Sequence, residues 1–110
     1  MTEYLQVTVA CANAEEARRI SRALVEARLA ACVQVVGPIR STYWWQGRVE
    51  EAEEWLCVAK TNRERYPALE ETVLRLHSYQ VPEVIAVPVA ASSPTYLDWL
   101  GQELSDRTQP

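Results

Sequence analysis

Residues 41–61 read Ser41-Thr-Tyr-Trp-Trp-Gln-Gly-Arg-Val-Glu-Glu-Ala-Glu-Glu-Trp-Leu-Cys-Val-Ala-Lys-Thr61. Two extended segments rich in aromatic and β-branched residues flank Gln46-Gly47, where glycine can supply the positive φ of a tight reversal. The pattern is a β-hairpin. Its first arm begins as far back as Ala31 and is interrupted by Gly37-Pro38; its second arm ends at Thr61. Strands in small domains run about 5–6 residues, so arms of this length must bend or project beyond their own sheet. Gly37-Pro38 is the expected bend, because proline removes a ladder donor and belongs at edges and bulges. Tyr43, Trp44 and Trp45 sit at the tip, with Trp55 on the return arm. Aromatics on a projecting ribbon have no core of their own to enter. We therefore expect other copies of the chain to cover them, the alternative being that they fold back onto their own helices.

Outward from the hairpin the pattern continues in both directions. Leu5, Val7, Val9 and Cys11 alternate with Gln6, Thr8 and Ala10, which predicts a first strand. Asn13 and Glu16 stand in capping-box spacing ahead of a helix over Ala14–Leu29. Its inward residues are Ala17, Ile20, Leu24 and Ala27, with Arg18, Arg19, Arg22 and Glu26 opposite. A second helix opens near Asn62, tolerates Pro67 in its first turn, and turns Leu69, Val73, Leu74 and His77 inward. Residues 78–82 connect it to a β-branched strand over Glu83–Val89. Ser93-Pro94 then caps a short helix reaching Leu104, and Arg107–Pro110 is expected to be a loose tail. The order β-α-β-β-α-β plus a terminal helix predicts an α+β, ferredoxin-like fold in one domain over residues 1–110. One short helix cannot cover the second sheet face, which again favours an oligomer.

Composition narrows the function. The chain has 110 residues, 48% apolar and 24% charged, with a net charge of −4. These are ordinary globular values. Without a Lys/Arg cluster, nucleic acid is not expected as a partner. No apolar run approaches the roughly 20 residues of a membrane span, and the N-terminal strand pattern lacks a basic leader segment. Three widely spaced cysteines without a CxxC motif read as reduced thiols in a cytoplasmic protein.

Candidate chemistry is sparse. His77, the single histidine, falls at a helix C-terminus, where the dipole favours its charged form; it reads either as a cap or, beside a thiol or carboxylates, as a ligand for a cation. Cys11 ends the first strand where the chain enters a turn, which would set its sulfur near a cleft mouth, whereas Cys32 and Cys57 lie inside apolar strands and read as small buried hydrophobes. Glu50, Glu51, Glu53 and Glu54 read as a solvated rim, or alternatively as a cation-attracting surface. Lys60, Tyr79 and Glu83 stand at strand or loop ends and are candidates to line a pocket between subunits. No nucleophile–base pair and no glycine-rich phosphate loop occurs, so an enzyme is not expected.

Four segments carry a family likeness: ARLAACVQVVGPIRSTYWWQGRVEE at 27–51, WLCVAKT at 55–61, LHSYQVPEVIAVPV at 76–89 and YLDWL at 96–100. In this order and spacing the chain resembles the CutA, or divalent-cation tolerance, family over nearly its whole length. The resemblance implies a cytoplasmic homotrimer with no established catalytic activity, in which hairpins bearing Tyr43, Trp44 and Trp45 pair with neighbouring subunits. It also implies binding of copper, as Cu+ or Cu2+, or of other divalent ions, with no cofactor needed for folding. Of the ligands implied, Cys11 matches the family's cysteine and His77 one histidine; the adjacent position, a second histidine in some members, is Leu76 here. An alternative is a signalling or scaffold trimer resembling PII-type regulators. It would bind a small ligand between subunits at Lys60, Tyr79 and Glu83 and act on a protein partner not identified by the sequence.

Overall fold

A computed structural model describes residues 3–105; the expected tail at Arg107–Pro110 lies outside them. The elements run β1 (Tyr4–Cys11), α1 (Ala14–Glu26), β2 (Cys32–Trp45), β3 (Arg48–Asn62), α2 (Tyr66–Leu76), β4 (Val84–Pro88) and α3 (Pro94–Leu104). The four strands form one antiparallel sheet in the order β2-β3-β1-β4. This is the ferredoxin-like βαββαβ arrangement with a long β2–β3 hairpin and an added C-terminal helix.

The hairpin closes on Gln46 and Gly47, whose φ values of 52° and 80° are both positive. Two such residues between paired Trp45 and Arg48 make the primed turn whose twist matches that of the strands. The register of β2 against β3 slips between Val36 and Ile39, so the bend falls at Gly37-Pro38 as its chemistry requires.

The core lies between the sheet and two helices. Val7, Val9 and Cys11 on β1 and Cys57 and Ala59 on β3 are buried against Ala17, Ile20 and Leu24 of α1 and Leu69 and Val73 of α2. Leu74 departs from the expected pattern and faces outward, as does Ala27. The first helix stops three residues short of Leu29 because Arg28 enters the left-handed region at φ 58°. Arg28 N–H then donates to Val25 and Leu29 N–H to Leu24, the paired bonds that end a helix in a Schellman motif. Arg28 also spans to α3, donating to the backbone oxygen and the carboxylate of Glu103 at 2.8 and 2.9 Å. The second helix starts at Tyr66 rather than near Asn62. Asn62 instead accepts the Arg65 N–H at 2.8 Å, forming the turn that precedes it.

On the sheet face away from α1 and α2, Ile85 and Val87 stand in register with Thr8 and Gln6, and Val36 with Leu56. All three of these apolar side chains are exposed, as are Tyr43, Trp44 and Trp45 at the hairpin tip, where Trp44 is 74% accessible. Trp55 is different: it is partly buried against the core beside the bend.

Candidate metal centre and adjoining cavity

Asn13 opens α1 by accepting the Glu16 N–H at 2.8 Å, as the capping-box spacing predicts. The Glu16 carboxylate goes further than such a box requires. One oxygen accepts from Ala12 N at 2.9 Å and the other from Ser78 N at 2.8 Å, so that a single buried side chain joins the start of α1 to the exit of α2. Burial pushes this carboxyl upward, but the donors from Ala12 and Ser78, together with the nearby His77, outweigh it and hold Glu16 below the usual glutamate range.

His77 is the C-cap residue of α2, and its side chain is completely buried. Nδ1 lies 3.1 Å from the Tyr79 N–H and can only accept there, which leaves Nε2 to donate to the Ala10 carbonyl at 2.7 Å. The ring therefore bridges the end of β1 and the loop after α2. Nδ1 also stands 3.7 Å from Glu16 Oε2.

Cys11 completes the cluster. The ligand atoms of Cys11, Glu16 and His77 all lie within 4.8 Å of one another. Cys11 is fully buried, so its sulfur does not reach a cleft mouth. Its Sγ is 3.8 Å from that of Cys57. Cys57 S–H donates to Ala17 O at 3.3 Å and its sulfur accepts from the Ser21 hydroxyl at 3.4 Å, which assigns Cys11 as the donor within the thiol pair. The hydrogen bond to Cys57, then burial, push Cys11 well above the usual thiol range. The same bond draws Cys57 down to about 7 against the opposing effect of burial. Cys32 is half-buried at the start of β2.

Sulfur, nitrogen and carboxylate oxygen together suit a borderline divalent ion. The residues fit such an ion in type and spacing. In this arrangement, however, the His77 nitrogens and both Glu16 oxygens are engaged with backbone, and the Cys11 sulfur with Cys57.

Against this cluster lies a cavity of about 620 Å³, lined by Ala10, residues 41–45, Glu54, Tyr79, Val81 and Glu83. Its floor is a hydrogen bond of 2.7 Å from the Tyr79 hydroxyl to Glu54. Burial, followed by the Glu54 carboxylate, pushes the Tyr79 phenol far above its ordinary value. The Tyr79 ring packs 4.8 Å from the His77 ring, so cavity and cluster share a wall. Glu54 is buried and corrects the reading of that glutamate as part of a solvated rim; Glu51 and Glu53 do face solvent. Of the three residues expected to line one pocket, Tyr79 and Glu83 meet here. Lys60 does not: it lies six residues along β3, about 20 Å away at strand rise, where it donates to Gln34 at 2.9 Å.

Sequence reasoning missed Glu16, Glu54 and the partnership of Cys57. Glu16 had a sufficient local role as a cap, and the other two acquire theirs only through strand register.

A family model described as CutA1 divalent ion tolerance protein matches residues 5–103. The divalent-cation tolerance protein CutA of Thermus thermophilus is 48% identical over 100 residues, covering 91% of this chain and 95% of its own length. Protein CutA of Mus musculus is 48% identical over 94 residues, 86% of this chain, and this chain spans only 53% of that relative. The solved structure of the periplasmic divalent cation tolerance protein CutA from Archaeoglobus fulgidus superposes with a TM-score of 0.90 at 33% identity, covering 93% of this chain and 99% of its own. Among the described residues, no helix is long and apolar enough to cross a membrane.

Proposed function

The chain belongs to the CutA1 divalent ion tolerance protein family, and from that premise we propose that it acts as a cytoplasmic homotrimer binding copper or another divalent ion weakly, as part of the response to metal ions. The observation that carries the metal reading is the convergence of Cys11, Glu16 and His77 ligand atoms within 4.8 Å. Cys11 would supply sulfur, His77 nitrogen and Glu16 oxygen to the ion. Weak binding follows from the hydrogen bonds these atoms already make, since each must be given up for a new ligand. Leu76, where some relatives are expected to carry a second histidine, adds no donor.

Assembly is supported by the exposed Tyr43, Trp44 and Trp45 and by the exposed Ile85 and Val87 on the sheet face away from α1 and α2, because grouped exposed apolar side chains mark surfaces that partners cover. The reduced state of all three cysteines suits the cytoplasm. The test is a copper titration against a competing chelator under reducing conditions, on the native protein and on Cys11→Ser and His77→Ala. Stoichiometric binding lost in both variants supports the site; binding unchanged in both removes it.

The cavity favours a second reading, a PII-like signalling or scaffold trimer with a small ligand between subunits. Its volume falls within the range of ligand sites, roughly 300–1,000 Å³, and Tyr79, Glu54 and Glu83 supply polar groups beside the aromatic Tyr43, Trp44 and Trp45. In the trimer, Lys60 of a neighbouring copy would complete the set. A metabolite that raises the melting temperature without metal, and loses this effect in Tyr79→Ala, supports that reading.

A further inference from the structure

Val9 and Cys57 are directly opposed across β1 and β3, and Cys11 is the next residue of β1 on the same face. Both thiols therefore point under α1, with their sulfurs 3.8 Å apart. Two sulfurs each about 2.3 Å from a tetrahedral ion stand about 3.8 Å from one another. The pair is thus already at the separation that a shared ion requires. A disulfide is a poorer match, because diagonal positions on paired strands hold their Cα atoms about 7–8 Å apart, beyond the usual span of such a bond.

We infer that Cys57 is a second sulfur ligand, forming with Cys11 a dithiolate pincer that selects thiophilic ions. The proposal deepens the reading of Cys11 as a metal ligand and rests on it. Binding exchanges ligands only: two S–H bonds break, two metal–sulfur bonds form, two protons leave to solvent and no oxidation state changes. Two thiolates favour Cu(I), Zn(II) and related soft ions over Mg(II) or Ca(II), which prefer oxygen. Around the pincer, the Ser21 hydroxyl, 3.4 Å from Cys57, donates to the second sulfur and holds it in place, while the bond from Cys57 to the Ala17 carbonyl is given up with the departing proton.

Cadmium is the probe, added to the full chain under anaerobic, phosphine-reduced conditions. X-ray absorption of the native complex counts sulfur ligands directly and needs no variant to fold. Two sulfurs per cadmium are expected; one overturns the pincer. Thiolate-to-cadmium absorbance per bound ion should fall by half in Cys57→Ser, with affinity lower by at least about tenfold, the loss that even an outer-shell substitution can cause. Cys32→Ser, the third cysteine, should leave both unchanged, and loss of absorbance there overturns the assignment. If one sulfur is found and His77→Ala still weakens binding, the pincer fails while the Cys11–His77 site survives. Two sulfurs with no effect of His77→Ala uphold the pincer and remove the histidine. Binding unaffected by Cys11→Ser overturns both.

Discussion

A Cβ placed on Gly37 would lie 2.5 Å from Cδ2 and Cε3 of Trp55, so the indole rests against the only residue of β2 that has no side chain. The bend in the hairpin and the burial of this tryptophan are one packing solution. Trp55 is partly buried against the core and cannot withdraw cheaply. Gly37→Ala should therefore destabilise the protein by roughly 1–3 kcal/mol, the usual cost of overpacking. Chemical denaturation at fixed protein concentration measures it, and Trp55→Leu in the same chain should restore part of the loss. At Gly47 nothing lies within 4 Å but φ is +80°, so Gly47→Ala should cost only the backbone strain, about 1 kcal/mol.

Glu16→Gln should flatten the acid limb of the stability profile. The fold holds this carboxyl below the usual glutamate range, so the folded state binds its proton less readily than the unfolded chain. Its stabilising contribution is complete above the ordinary glutamate value and is lost as pH falls through the depressed one. Denaturation midpoints measured from neutral to acidic pH should converge for native protein and variant at the acid end. Parallel profiles would show that another group sets acid stability.

Tyr79→Phe removes the donor that the buried Glu54 carboxylate accepts at 2.7 Å. An unsatisfied buried acceptor costs about 1–3 kcal/mol, and the variant should lose that much at neutral pH. Because burial and Glu54 raise the Tyr79 phenol, an absorbance titration should also lose its most alkaline tyrosine step. Retention of that step in the variant would assign it to another residue.

The hairpin tip can be tested through assembly. In the trimer proposed above, the tip would be a packed interface, where removing a large aromatic often costs over about 2 kcal/mol, so Trp44→Ala with Trp45→Ala should shift sedimentation toward monomer on dilution. A double variant still trimeric at nanomolar concentration would exclude the tip as an anchor.

Local chemistry made much of this fold legible in the sequence. Alternation from Leu5 to Cys11, Asn13 before α1, Gly47 in the turn and Gly37-Pro38 in the bend each dictate a structure within a few residues. The boundaries that differ have equally local causes that composition does not advertise, such as Arg28 entering a left-handed conformation that glycine or asparagine usually occupies. The candidate centre was only half legible. Cys11 and His77 stand out through their places at the end of a strand and of a helix and again through the family likeness, whereas Glu16 is hidden by its sufficiency as a cap. Cys57 meets Cys11 across 46 residues of chain, a contact created by the register of β3. Glu54 similarly looks like its exposed neighbours until Tyr79 folds over it.

The amides of Ser78 and Tyr79 donate to the carboxylate of Glu16 and the ring of His77, so the lone pairs an ion would claim are the ones that moor the loop leaving α2. Occupying the centre means loosening that mooring. Tyr79, Val81 and Glu83 on the same loop form part of the cavity wall, and a molecule gripping them would tighten it. Were both to bind, linkage would make the antagonism reciprocal: whatever factor the ion took from the molecule's affinity, the molecule would take from the ion's. Metal handling and small-ligand sensing would then be opposite settings of one latch.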